Sequence, residues 1–457
     1  MSATSRPVPA APPEWSFPVP ERLELPAPAA GADGSAPLTA LAFDTPGQHI
    51  ISVRLAIPLP VTHEPRRVEG IARVFAATLT EGSQAHEAME FAELVERLGA
   101  SIAVHSGERA ILLDLDVPGR NLRPALELMV ECLTQATFPE AEVAREVRRA
   151  LAGIASSRAH PANRAAMEFA ATYYAADDRL SRPFSGTTET VSAITRDDVL
   201  AYAGALGPSG STVVIAGDLG GIDAATVLGE AFAGWADGPL RPESPVVPGE
   251  LADDRNRIVV VDRPGSVQSE LLVGCPGPDR RVEGGWAPYP VLSYLVGGTP
   301  NSRLDAELRE KRGYTYGMRS SFRPRSRAGQ FVTSGSVRTE VTSAAVEATL
   351  DILEAARDGF TTEETRSGVD FLVKTAPSRY ETADMIADEA IGRALDGSDT
   401  AEITAVLRDT RTLTPERLAE AYRRYVDGAW TVVVVGDASA FADDLRALGR
   451  GDLTVVD

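Results

Sequence analysis

The chain spells out one folding unit twice. Residues 193–200 and 211–218 read AITRDDVL and STVVIAGD. Residues 412–418 and 430–437 read TLTPERL and WTVVVVGD. Thr195 falls opposite Thr414 and Asp218 opposite Asp437, both at an offset of 219. Each copy predicts a Thr-capped helix followed by an apolar, β-branched strand ending at Gly-Asp. Further upstream, Glu93, Leu94 and Gly99 match Glu307, Leu308 and Gly313 at an offset of 214, and Phe138 matches Phe360 at 222. A few loop insertions account for the drift. A chain of 457 residues would ordinarily suggest about three domains, but the repeat predicts two copies of one domain. The expected boundaries are 39–238 and 256–457. A Pro- and Gly-containing linker at 239–255 joins them, on which the halves would hinge. A Pro/Ala-rich segment at 1–38 precedes them, expected as an extended, poorly ordered lead-in or an arm lying on the surface.

Within the first copy, residues 49–58 predict a strand, 70–80 and 87–98 helices, and 101–105 and 110–117 a pair of alternating strands. Residues 122–134 and 140–158 predict two further helices. The fold class expected is α+β: two homologous halves, each a mostly antiparallel sheet with helices packed on one face.

Charge and cysteine content narrow the function classes. The formal net charge is −20, which disfavours nucleic acid and anionic membrane as partners. Cys132 and Cys275 are too few for a disulfide framework and form no CxxC pair. No stretch is long and apolar enough for a membrane span, and no apolar core with a cleavage site follows the N-terminus, so a cytoplasmic location is expected. The loop 297–301 (GGTPN) lacks the Gly-Lys-Ser/Thr ending of a phosphate cradle.

The segments VVVDRPGSVQS at 259–269, GGTPNSRL at 297–304 and LREKRGYTYG at 308–317 carry a resemblance. So do VEGIA at 68–72 and LTEGS at 79–83. Together they resemble the insulinase/pitrilysin-type zinc metallopeptidases, in the branch like the mitochondrial processing peptidase. That family sets His-x-x-Glu-His on the helix that here begins near residue 70. Two His one turn apart bind zinc, and the Glu acts as general base on the metal-bound water. In this chain the resemblance puts Arg73 and Ala77 at the His positions, Ala76 at the base and Gly153 at the downstream ligand. Glu146 looks like the family's supporting Glu. The ligand set is therefore degenerate, and Arg73 adds a fixed positive charge where a dication would sit. No other His pair has helical spacing, so no metal is expected in this chain.

The resemblance also implies a retained pair. Active members bring an Arg and a Tyr seven residues apart to the substrate main chain, and Arg309 and Tyr316 match them. Arg309 is expected near the end of a helix that starts about Ser302 and stops at Gly313, and Tyr316 on the strand that follows. A guanidinium and a phenol so held would hydrogen-bond a peptide carbonyl and its developing oxyanion. Tyr314 competes with Tyr316 by parity, so the choice rests on the resemblance. Gly297, Gly298 and Asn301 belong to a loop that lines the substrate chamber in the family. A helix-capping turn is the equal alternative reading.

The expected function is a zinc-free, non-catalytic subunit of a heterodimeric metalloendopeptidase. A homologous partner would carry the zinc, and this chain would supply Arg309 and Tyr316 to a peptide substrate. The alternative is a scaffolding subunit with no part in proteolysis.

Overall fold

The computed structural model describes residues 15–25, 38–239, 251–253, 256–324 and 329–457. Most of the expected 239–255 linker lies outside the described residues. Among the described residues twelve strands form two six-stranded sheets. The first contains β1 (Glu21–Leu23), β2 (Thr39–Asp44), β3 (Ile50–Pro58), β4 (Ser101–Ser106), β5 (Ala110–Pro118) and β6 (Thr212–Gly217), in the order β1-β2-β6-β3-β5-β4. The second contains β7 (Arg257–Asp262), β8 (Gln268–Gly277), β9 (Arg319–Arg323), β10 (Gly329–Arg338), β11 (Thr431–Gly436) and β12 (Asp452–Val456), in the order β12-β7-β11-β8-β10-β9. Five strands of each sheet follow the same path. β2 pairs with β6 and β7 with β11 in parallel, and the next three contacts in each sheet are antiparallel. The sixth strand differs. β1 joins its sheet antiparallel, whereas the C-terminal β12 joins parallel.

Helices α1 (Ile71–Thr78), α2 (Ala88–Arg97), α3 (Leu122–Gln135) and α4 (Glu140–Ala159) build against one face of the first sheet, and α5 (Pro161–Tyr173) follows. The strands show why. Ile51, Val53, Leu55 and Ile57 of β3 point into the core that holds α1 and α3, while Ala56 points to the opposite face. On β11, Val432 and Val434 face their own helices, and Val433 and Val435 face the other way. A strand buried on both sides reads as a continuous apolar run, which is how both copies read in the sequence.

What covers the second faces is an exchange of helices. α5, from the N-terminal half, lays Ala165, Phe169 and Tyr173 on Val259, Val261, Leu272, Val433 and Val435 of the second sheet. The helix Ala383–Leu395 lays Ala383, Ile386, Ala387 and Ala390 on Ala56, Val214 and Ala216 of the first. Arg54 of β3 reaches Asp388 of that helix at 2.6 Å. The halves share two apolar cores, which differs from the expectation of units hinged on a linker. Apolar periodicity marks a buried face but not which segment buries it.

Where it is described, the N-terminal segment packs against the fold through Phe17. Phe17 is buried against Phe43 and Tyr380, Trp15 stacks on Tyr380 at 5.5 Å, and the Phe17 amide donates to Thr404 Oγ1 at 3.0 Å. Among the described residues no helix is long and apolar enough to cross a membrane.

Candidate functional site

The altered helix α1 is firmly placed. No side chain of its own caps it. Glu64, six residues before Gly70, instead accepts from the Gly70 and Ala72 amides at 3.2 and 3.1 Å, so a carboxylate faces the positive end of the helix. Arg179 donates to the same carboxylate at 2.7 Å, and both side chains are buried. Burial pushes the Glu64 carboxyl up from its usual range, against the pull of Arg179.

α1, α4 and the edge strand β4 enclose a cavity of about 550 Å³ lined by Arg73, Ala76, Ala77, Val104, His105, Ser106, Glu146 and Arg149, among others. A Cβ added to Gly153 would lie 4.0 Å from Arg73 Nη2. The structure thus brings Arg73, Ala76, Ala77 and Gly153 to one place, with Glu146 buried beside them. These residues do not fit zinc. Ala76, Ala77 and Gly153 offer no side-chain donor, and Arg73 repels a dication. Among the described residues no three His, Cys, Asp or Glu side chains gather as a metal ligand set. Glu146 contacts Arg145 at 3.3 Å and Arg149 at 3.8 Å. His105 is held by Asp114 at 3.2 Å.

The second candidate site lies in the C-terminal half. Arg309 sits in a π-helical stretch, Asp305–Lys311, a departure from regular helix that recurs at functional sites. Gly313 ends it in the left-handed region, φ 63°, and the Gly313 and Tyr314 amides donate back to the Arg309 and Leu308 carbonyls at 3.1 and 2.8 Å. Arg309 is partly exposed, with neighbouring Glu310 at 3.4 Å.

Tyr316 is not on the following strand, as the sequence reading expects. It occupies a bend, and β9 begins only at Arg319. The reason is local. Thr315 Oγ1 donates to the Ser336 carbonyl at 2.7 Å and accepts from the Gly317 amide at 3.0 Å, which folds the chain instead of extending it. Tyr316 is left 93% exposed. Tyr314, expected on the same side, is half-buried against the second core with Arg312 over its ring at 5.8 Å.

Sequence reasoning missed the residue that fixes this turn. Asp305 is fully buried between Leu304 and Leu308, where a carboxylate needs partners, and that placement was its one sequence signal. It accepts from the Met318 amide and from Arg319, both at 2.7 Å.

Gly297 is buried, and a Cβ there would come within 2.6 Å of the Ser320 amide nitrogen, so close packing on β9 requires glycine. Gly298 and Asn301 are exposed, and the buried Ser302 precedes the turn as an N-terminal cap for the Asp305 amide at 3.5 Å.

Residues 39–188 match the sequence model of "Insulinase (Peptidase family M16)", and residues 193–370 match that of "Peptidase M16 inactive domain". An uncharacterized zinc protease of Streptomyces coelicolor is 26% identical over 266 residues, 56% of this chain and 56% of that protein. A Helicobacter pylori protein described as a non-peptidase homolog is 24% identical, over 68% of this chain and 72% of its own length. The crystal structure of a peptidase M16 inactive domain from Pseudomonas fluorescens superposes with a TM-score of 0.82 at 21% identity, covering 92% of this chain and 98% of that one.

Proposed function

The chain belongs to the peptidase M16 (insulinase) family, and from that premise we propose that it is a zinc-free, non-catalytic subunit of a heterodimeric metalloendopeptidase. A partner of the same fold carries the zinc, which activates a water when bound. This chain holds the peptide. Arg309 and Tyr316 donate hydrogen bonds to a main-chain carbonyl of the substrate, and the charge that grows on that oxygen in the transition state strengthens them. The loop with Gly297, Gly298 and Asn301 is assigned to the chamber wall.

One observation carries the reading. A phenol 93% exposed to solvent is presented by a turn whose base is a fully buried carboxylate. Large aromatic side chains are mostly buried, and an exposed one on a rigid support suits contact with another molecule. Meanwhile Ala76, Ala77 and Gly153 offer the cavity at Arg73 no metal-binding side chain, so the useful half of the chemistry is assigned to Arg309 and Tyr316. β4 ends its sheet, and its outer edge has no strand partner among the described residues. An extended peptide can pair with that edge.

The test is co-purification of the full chain with a homologue carrying His-x-x-Glu-His. A stoichiometric complex supports the reading. Recovery with non-peptidase partners alone, together with an indifferent Arg309→Ala variant, would favour the scaffolding alternative.

A further inference from the structure

We propose that the cavity between Arg73 and Arg149 is a carboxylate subsite, holding a negatively charged group of an extended peptide laid along β4. The proposal rests on the peptide-binding reading above but uses neither Arg309 nor Tyr316.

The charge balance of the cavity points to an anion. Arg73 is exposed, and its guanidinium makes no ion pair or hydrogen bond among the described residues. Its guanidinium reaches from α1 to within 4.0 Å of where a Gly153 side chain would begin on α4. Among the described residues Arg149 has only Glu146, at 3.8 Å. Glu146 is engaged more closely by Arg145, at 3.3 Å, which also holds Glu81 and Glu142 at 2.7 and 2.6 Å. His105 is taken by Asp114. Two guanidinium groups therefore line the space, and the one carboxylate in its wall is already served by a third. In a chain of net charge −20 this is a local reversal of sign.

Shape agrees with charge. Ala76, Ala77, Ala150 and Gly153 leave the room around Arg73 that larger side chains would fill. A planar guanidinium with free donors matches a carboxylate two bonds at a time. Val104, His105 and Ser106 of β4 form one wall, so a peptide paired with that edge runs into the cavity. The substitutions that removed a cation site have left an anion site in its place.

The carboxylate has two sources, the chain terminus of the peptide or an Asp/Glu side chain, and binding can tell them apart. Three rhodamine-labelled, alternating Val/Thr hexapeptides serve as probes: the free acid, the C-terminal amide, and the amide with Glu as its last residue. Fluorescence anisotropy with the full chain, without partner, reads each affinity. The free acid is expected to bind about tenfold more tightly than the plain amide, as a charge-assisted pair allows. Equal gain from the Glu peptide assigns the subsite to any carboxylate, and gain from the free acid alone assigns it to a chain end. Both support the site. Arg73→Gln should erase the preference and Arg73→Lys retain part of it, with unchanged thermal melting because Arg73 is exposed. Gain from the Glu peptide alone assigns the subsite to a side chain and supports it too; equal binding of all three probes, no binding of any probe, or a preference that survives Arg73→Gln and Arg149→Gln together would overturn the proposal. Such a failure leaves the role of Arg309 untouched, because no partner and no cleavage enter the measurement.

Discussion

Asp305 and Arg319 meet at 2.7 Å across the turn that presents Tyr316. The same carboxylate accepts the Met318 amide at 2.7 Å, so one buried side chain joins the helix of Arg309 to the far end of the loop. The two residues assigned to substrate thus hang from a common support.

Removing that support is expected to be costly out of proportion to its size. Asp305→Ala leaves a buried amide without a partner and should lower stability by about 1–3 kcal/mol. Arg319→Ala removes a half-exposed partner and should cost less than about 1 kcal/mol. Urea denaturation gives both values, and amide exchange at Met318 should rise in the first variant. An Asp305→Ala protein with the wild-type midpoint would show that the carboxylate does not anchor the turn.

The exchanged helices predict that the halves unfold together. Phe169→Ala empties the contact between α5 and the second sheet, at a cost of about 3–5 kcal/mol. Gly274→Ala would bring a Cβ to 2.5 Å from Phe169 Cζ, at about 1–3 kcal/mol. Both should shift a single transition, followed through Trp235 in one half and Trp430 in the other. Protease cleavage within 240–250 should leave the fragments together on size exclusion. Separate midpoints for the two tryptophans, or dissociating fragments, contradict the shared cores.

Glu64 and Arg179 form a buried pair at the start of α1. Arg179→Met strands a buried carboxylate and should destabilise by about 3–5 kcal/mol. Adding Glu64→Gln should recover most of that loss in thermal melts. If the double variant is no better than the single, the cost lies in packing and not in the unpaired charge.

His86 supplies a pH signature. Its Nδ1 lies 2.8 Å from Glu131, and that hydrogen bond raises the His86 pKa above the ordinary value. A raised folded-state pKa means protonation favours the fold. The contribution is complete below the unfolded value of about 6.5 and is lost as pH rises through the higher folded one. The stability gap between wild type and His86→Ala should therefore be larger near about pH 6 than near about pH 9. A gap independent of pH would rule out the pair as its source.

The strand and helix pattern of the N-terminal copy was legible because each element alternates or repeats with its own period. β3 to β5 and α1 to α4 lie where periodicity places them. The repeat of Thr195 with Thr414 and of Asp218 with Asp437 foretold two halves of one α+β design. Two things were not legible. The covering of each sheet by a helix from the opposite half is a tertiary choice, since Phe169 and Ile386 show only that a face is apolar. The bend at Tyr316 depends on the hydroxyl of Thr315 reaching Ser336, 21 residues away. At α1 the resemblance implies losses at Ala76, Ala77 and Gly153, whereas their meeting in one cavity and the unpaired guanidinium of Arg73 among the described residues needed coordinates.

In the proposed function this chain lends Arg309 and Tyr316 to zinc carried by another subunit. The most direct test is the peptide-cleavage rate of the zinc-bearing partner alone, with this chain, and with its Arg309→Ala variant. Cleavage should depend on the mixture and fall by about 10²–10³ in kcat with the variant, the usual loss for one oxyanion donor. Full activity of the partner by itself, or equal rates with wild type and Arg309→Ala, would contradict it.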